Sequence, residues 1–218
     1  MKMRREAMLA IALAVVALVL AVYCIVSYDW YEEERTSSLE EGNLVTDIGY
    51  GLRGVQNVSQ SRLNGTVLQE RESHQTYDEF IGVEGTRAQS AADAMFLIVL
   101  VAIVFIVLFI PLVFLAHQGR FDDLVGKLGQ YIPLMVAQVA ALLLILGAMW
   151  FSYAFTEGLD KDVEDLGQER YRAVGGMGGW YAIFAGIIIQ AAAVMALSRT
   201  RLVYIEPLEE GKTPEPVE

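Results

Sequence analysis

The chain has 218 residues, 55% of them apolar, with a mean hydropathy of +0.41 and a formal net charge of −11. That is too apolar for an ordinary soluble domain and too short for a large transporter; one membrane domain with a modest appended region fits. The acidic balance argues against nucleic acid as a partner. The one cysteine leaves no disulfide framework and no cysteine metal site within a chain.

Residues 1–7 carry Lys2, Arg4 and Arg5 and are read as a cytoplasmic N-terminus, because basic residues beside a first span favour the inside. The span follows over 8–28. Met8 to Ser27 holds no charge and has the roughly 20 apolar residues that cross a membrane core as helix. In hydrocarbon the backbone must bond to itself, so helix is the only reasonable reading. The run exceeds the apolar core of a signal peptide, and Tyr28-Asp29-Trp30-Tyr31 after it lacks a small-x-small cleavage pattern, so an uncleaved anchor is expected. Cys24 inside it is read as a small packing residue.

Residues 29–93 form the only segment large enough to fold outside the membrane. Trp30 and Tyr31 stand at the span exit, where aromatic rings favour the interface. Glu32-Glu33-Glu34 reads as a solvated loop start. In Asn43–Val58, Gly49, Gly51 and Gly54 each weaken helix by about 1 kcal/mol relative to Ala. Val45, Ile48, Tyr50, Leu52 and Val55 suit short strands with glycine-assisted bends. Leu44, Ile48, Leu52 and Val55 also fit one helical face, so helix stays open as the alternative. Two glycosylation sequons follow, at Asn57-Val58-Ser59 and Asn64-Gly65-Thr66; the second also reads as a plain turn. His74 reads as solvated. From Gly85 the Ala-rich sequence predicts a short helix running into the second span.

The second, third and fourth spans are placed at 94–116, 132–155 and 177–198. Pro111 should bend the second and Pro133 should sit in the first turn of the third. No Asp, Glu, Lys, Arg or His lies within the spans, which argues against proton relays and ion pathways. Gln138 and Gln190 are read as interhelical hydrogen-bonding residues. Gly178, Ala182 and Gly186 give the fourth span small residues at helical spacing for close packing, within the bundle in preference to a dimer face. Residues 117–131, starting at His117, form a tight cytoplasmic hairpin. Residues 156–176 form an acidic second outer loop or helix extension, whose Asp160, Asp162, Glu164 and Asp165 lack the pattern of a real calcium loop. The tail, 199–218, is acidic and reads as disordered and cytoplasmic. Segments 29–93 and 156–175 together hold 19 Asp/Glu against 8 Lys/Arg, so the whole net charge of −11 falls on the outer side.

The order of spans and loops resembles the claudin and PMP22-like tetraspans. Trp30 stands where that family has its first-loop tryptophan. Asn43-Leu44-Val45-Thr46 followed by Gly51-Leu52-Arg53 is similar to the claudin stretch leading to Gly-Leu-Trp, with Arg53 in the tryptophan's place. Thr76-Tyr77-Asp78, Arg87 in the Ala-rich approach to the second span, and Gly179-Trp180 are also similar. Both cysteines of the family's loop disulfide are absent, and the C-terminus lacks the apolar residue that PDZ domains prefer. The resemblance implies a membrane all-α fold, a left-handed four-helix transmembrane bundle, with a small β-containing extracellular domain between helices 1 and 2. It implies a multi-pass plasma-membrane protein acting in cell adhesion, barrier or pore formation, or modulation of partners. The sequence holds no nucleophile–base pair, phosphate loop or metal-ligand cluster. The expectation is therefore a non-enzymatic protein without a cofactor, partnered by the bilayer and by itself or another membrane protein. Its outer domain is expected to be shaped by Trp30, Tyr31, Tyr50 and Leu52 and glycosylated at Asn57 and Asn64. An accessory subunit of a larger complex is the alternative, ahead of a ligand sensor.

Overall fold

The computed structural model describes residues 5–39, 42–63, 66–117, 131–165 and 174–197. The described residues contain four helices long and apolar enough to cross a membrane: α1 (Arg5–Val26), α3 (Arg87–His117), α4 (Ile132–Asp165) and α5 (Gly178–Leu197). Between the first two lie β1 (Tyr31–Leu39), β2 (Gly42–Gly51), β3 (Gly54–Leu63), β4 (Thr66–Gln75) and the short helix α2 (Tyr77–Ile81). A two-residue strand, β5 (Val174–Gly175), precedes α5. The hairpin and tail expectations for 118–130 and 199–218 lie outside the described residues, as does the sequon at Asn64.

The four long helices close a ring in which α1 packs on α3 and α5, and α4 packs on α3 and α5. Small residues set the spacing. Ala10, Ala14, Ala17 and Ala21 put one alanine stripe of α1 wholly inside the bundle. A Cβ on Gly186 would stand 2.8 Å from Ile145 and 3.2 Å from the Ala141 carbonyl, so α5 meets α4 there at backbone distance. The stripe Gly178, Ala182 and Gly186 thus packs inside one chain, as expected. The helices turn their aliphatic side chains outward; on α1, Val15, Val19 and Val22 are exposed. That is the pattern of helices bathed in lipid, which needs no polar face.

α3 starts seven residues before the expected span and carries the predicted Ala-rich entry as one helix; the Pro111 ring does not end it. α4 continues ten residues past the expected end of the third span, so the acidic second loop begins as a helix extension. Pro133 lies in its first turn, where a missing N–H costs no intrahelical bond.

The strands form an antiparallel sheet in the order β4-β3-β2-β1-β5. Asn43–Val58 therefore resolves as strand–turn–strand, with Leu52 and Arg53 forming a two-residue connection between Gly51 and Gly54. The helical alternative for that stretch is excluded. Gly54 has φ +141°, a backbone that side chains avoid, and a Cβ there would lie 2.2 Å from the Gln75 carbonyl. Glu32-Glu33-Glu34 belongs to β1 and is not a loop start. Alternation explains why: successive strand residues face opposite ways, so Glu33 enters the interior while Glu32 and Glu34 stay exposed.

Candidate contact surface

The sheet has two unlike ends. Its base is the Gly51–Gly54 turn with the start of β1 and the end of β4, and it sits on the bundle. Its tip is the far end of the β3–β4 hairpin, nine residues along, which is about 30 Å for extended chain.

The base is built from aromatic rings. Trp30 is 2% exposed, its ring edge-on to Phe151 at 5.1 Å, and Gly178 lies against its face. Its Nε1–H donates to the Cys24 carbonyl at 2.8 Å. Cys24 stands in the last turn of α1, whose final carbonyls have no partner inside the helix, so Trp30 both closes the bundle and caps α1. Tyr31 stacks on Phe155 at 4.9 Å and donates its hydroxyl to the Ser152 carbonyl at 2.9 Å. Tyr50 and Tyr77 lie parallel at 6.4 Å, both wholly buried and both edge-on to Phe155. The Tyr77 hydroxyl donates to the Gly51 carbonyl at 2.6 Å, and burial pushes its pKa well above the ordinary phenol value. The Tyr50 hydroxyl donates to Glu33 at 2.9 Å, and Arg35 pairs with the same carboxylate at 2.8 Å. A buried carboxylate is thus satisfied by one phenol and one guanidinium.

Below β4 the chain is fastened to α3 by capping. Thr76 and Glu79 form a capping box at the start of α2, and Gly82 closes α2 in the left-handed region. Asp78 accepts from Gly85 N, Thr86 N and the Thr86 hydroxyl, and the two backbone N–H bonds hold its pKa below the usual carboxylate range. Asp162, on the extension of α4, accepts from Ala88 N at 3.0 Å and satisfies an orphan donor in the first turn of α3. Next to it, Arg87 pairs with Asp165 at 3.2 Å.

Trp30 and Tyr31 are not rings resting in the interface; they are buried in the join between sheet and bundle. Trp30, Tyr31, Tyr50 and Leu52 do shape the domain, yet all four are buried and so present no contact surface. Arg53 is exposed at the base turn, and Gly51 packs so closely that a Cβ would meet the Ser27 carbonyl at 2.5 Å. Asn57 is half-buried in mid-strand, paired with Ile48 and Ser73, and its amide oxygen accepts from the Ser59 hydroxyl of the same sequon. His74 is exposed, tilted against Tyr28 at 5.1 Å. Gln190 donates to Gln138 at 2.6 Å between α5 and α4, so the two glutamines bond each other across the helices. Cys24 is buried against the Gly178 carbonyl.

Glu33, Asp78 and Asp162 were not singled out as structural residues by the sequence reading. Thr76-x-x-Glu79 carries a capping signature that marks the start of α2. Nothing local distinguishes Glu33 from its neighbours or Asp162 from the other acids of its loop.

The tip differs in every respect. β4 is an edge strand, and all but one of its residues are exposed. Glu70, Arg71 and Glu72 charge its middle, the usual protection of a free edge against indiscriminate pairing. At the very end Leu63, Val67 and Leu68 are exposed at 39%, 45% and 63%. All three lie within three residues of the β3–β4 turn, but Leu63 pairs with Thr66 and Val67 with Arg62, so the end of the hairpin shows aliphatic side chains on both faces.

An apolar cleft of about 370 Å³ lies between α4 and α5 at the sheet end, floored by Trp30 and Tyr31 and walled by Met149, Ser152 and Trp180. Its hydroxyls, on Tyr31 and Ser152, donate to backbone carbonyls. Among the described residues no group of three His, Cys, Asp or Glu side chains could hold a metal ion. No model of a known protein family matches the chain, and no curated protein is significantly similar to it.

Proposed function

We propose that this chain is a non-enzymatic multi-pass membrane protein, distantly claudin- and PMP22-like, that makes lateral or cell–cell contacts through an extracellular sheet. The observation that carries the reading is the exposed trio Leu63, Val67 and Leu68 at the sheet tip. Exposed apolar side chains on both faces at the end of a projecting hairpin suit a contact that grips the tip. The strong anchoring of the base supports the reading, because a contact surface is useful only if its support is rigid. The sheet between the first two long helices and Trp30 at the exit of the first agree with what the family resemblance implies. On this reading both termini are cytoplasmic, the acidic segments face outward in the plasma membrane, and the partner is a second copy or another membrane protein.

The test is cross-linking with mass spectrometry on the full chain in its membrane, comparing wild type with Leu63→Thr/Val67→Thr/Leu68→Thr. Links between tips, lost in the variant, are the expected result. Tip links to one other membrane protein in fixed stoichiometry would assign an accessory-subunit role instead. Associations that ignore the variant would end the idea of a contact tip.

A further inference from the structure

We propose that α4 carries a second, intramembrane contact surface on which another copy of this chain docks, with Gln138 as its polar contact. The inference stands apart from the reading of the sheet tip.

Met135, Leu142, Leu146, Met149 and Tyr153 on α4 are exposed at 46–70%, and Gln138 is exposed in the same row. Their spacing of three or four residues makes one continuous stripe, the seam spacing of helices that pack side by side. From Met135 to Tyr153 the stripe runs about 27 Å, close to the thickness of a bilayer core. The other long side chains of the stripe are indifferent to whether lipid or protein covers them. Gln138 is not.

A glutamine amide offers two hydrogens and one oxygen with two lone pairs. The bond from Gln190 engages one lone pair of the Gln138 oxygen. Among the described residues no acceptor meets the Gln138 NH2 group, and the Gln190 oxygen has a free lone pair beside it. Gln138 lies six residues inside the start of α4, about 9 Å along the axis, and Gln190 lies seven residues before the end of α5. At that depth there is little water to satisfy an amide. An acyl chain has no acceptor to give. A chance partner would need a polar group at the same depth. A second copy in the same bilayer has one by necessity: a two-fold axis along the membrane normal returns every residue to its own depth. The Gln138 NH2 of one protomer then donates to the second lone pair of the Gln138 oxygen of the other, and the same bond runs in the opposite direction, while the apolar residues of the stripe pack on either side.

The test uses the full chain in liposomes, with the buried native Cys24 left in place. Leu142→Cys should form oxidative dimers, whereas Val104→Cys on α3 and Val19→Cys on α1, equally exposed, should not. Adding Gln138→Leu to Leu142→Cys should lower the dimer yield by at least about fivefold, the size of one amide bond between membrane helices. Adding Gln190→Leu should leave most of the dimer. Both leucine variants remove the bond inside the bundle, but only the first removes the docking amide. No dimer above the α3 and α1 controls, or equal losses from both leucine variants, would overturn the proposal.

Discussion

The two ends of the sheet obey different rules. At the base, Tyr50, Leu52, Val55 and Tyr77 are at most 1% exposed, and the Tyr50 and Tyr77 hydroxyls and the buried Glu33 carboxylate are all hydrogen-bonded. At the tip, β4 runs exposed along its length. β1, β2 and β3 are therefore core at one end and surface at the other, while β4 is surface throughout. Stability lives at the base, where large side chains leave water; adaptability lives at the tip, where side chains can change without disturbing what supports them. Breaking the base should unfold the outer domain, and breaking the tip should not.

Trp30→Ala should have the largest effect. It empties the join between sheet and bundle and leaves the Cys24 carbonyl without its donor. Removal of a buried Trp costs about 3–5 kcal/mol. Thermal unfolding in detergent should show a much lower midpoint. Trp30→Phe should recover most of the loss, since it keeps ring packing and forfeits one hydrogen bond worth about 1 kcal/mol. If Trp30→Ala melts like wild type, the base is not where the domain is held.

Gly54→Ala should come next. The positive φ alone costs on the order of 1–3 kcal/mol for a residue with a side chain. The new Cβ would also lie 2.2 Å from the Gln75 carbonyl, where β3 meets the end of β4. The base turn must then open, and amide exchange should speed up in β3 and β4 before it does in β1. Uniform exchange across the sheet would place the strain elsewhere.

The contrast also explains what the sequence made legible. The four long helices were readable because a lipid-facing helix announces itself by length and lack of charge, with no need for a matching partner. The β2–β3 hairpin was readable from Gly49, Gly51 and Gly54 set among β-formers. β1 was not, because Glu32-Glu33-Glu34 has the composition of a solvated loop; only pairing with β2 and the phenol of Tyr50 make Glu33 tolerable inside. β4 was missed for a related reason. Thr66–Gln75 is polar on both faces, as an exposed edge permits, so it carries no alternation to detect. Trp30 was singled out correctly and placed wrongly: a tryptophan after a span suits the interface or the core equally, and the carbonyls at the end of α1, with Gly178 opposite, decide for the core. The tip trio escaped notice because three scattered aliphatics in a polar stretch become neighbours of one turn only when Leu63 and Thr66 pair and close the β3–β4 hairpin. Gln138 and Gln190 were each legible as interhelical hydrogen-bonding residues because few other polar groups share their spans; that they bond each other was not.

Asp78 gives a smaller effect with a defined pH dependence. Its pKa is lowered in the folded chain, so the folded state favours the carboxylate. The stabilisation is complete above the ordinary carboxylate range and is lost as pH falls through that range and below it. Asp78 is only half-buried, so its contribution is modest and screened. Asp78→Asn should flatten the acid limb of the unfolding curve and leave stability near neutrality slightly reduced. An acid limb identical to that of wild type would mean that other carboxylates dominate it.

The smallest effect on stability should come from the tip, and that smallness is what makes the comparison sharp. Leu63→Thr, Val67→Thr and Leu68→Thr remove apolar surface that is already largely exposed, so little burial is forfeited. Threonine has a branched Cβ and a high strand preference, so β3 and β4 should still pair. Each change should shift unfolding by no more than about 0.5 kcal/mol, the usual range for surface positions. The same three changes are expected to abolish tip cross-links. A variant that folds like wild type and no longer makes contact would separate the two ends of the sheet into support and surface. A variant that melts early would instead show that the trio packs on its own strands, and the division between base and tip would have to be drawn farther from the bundle.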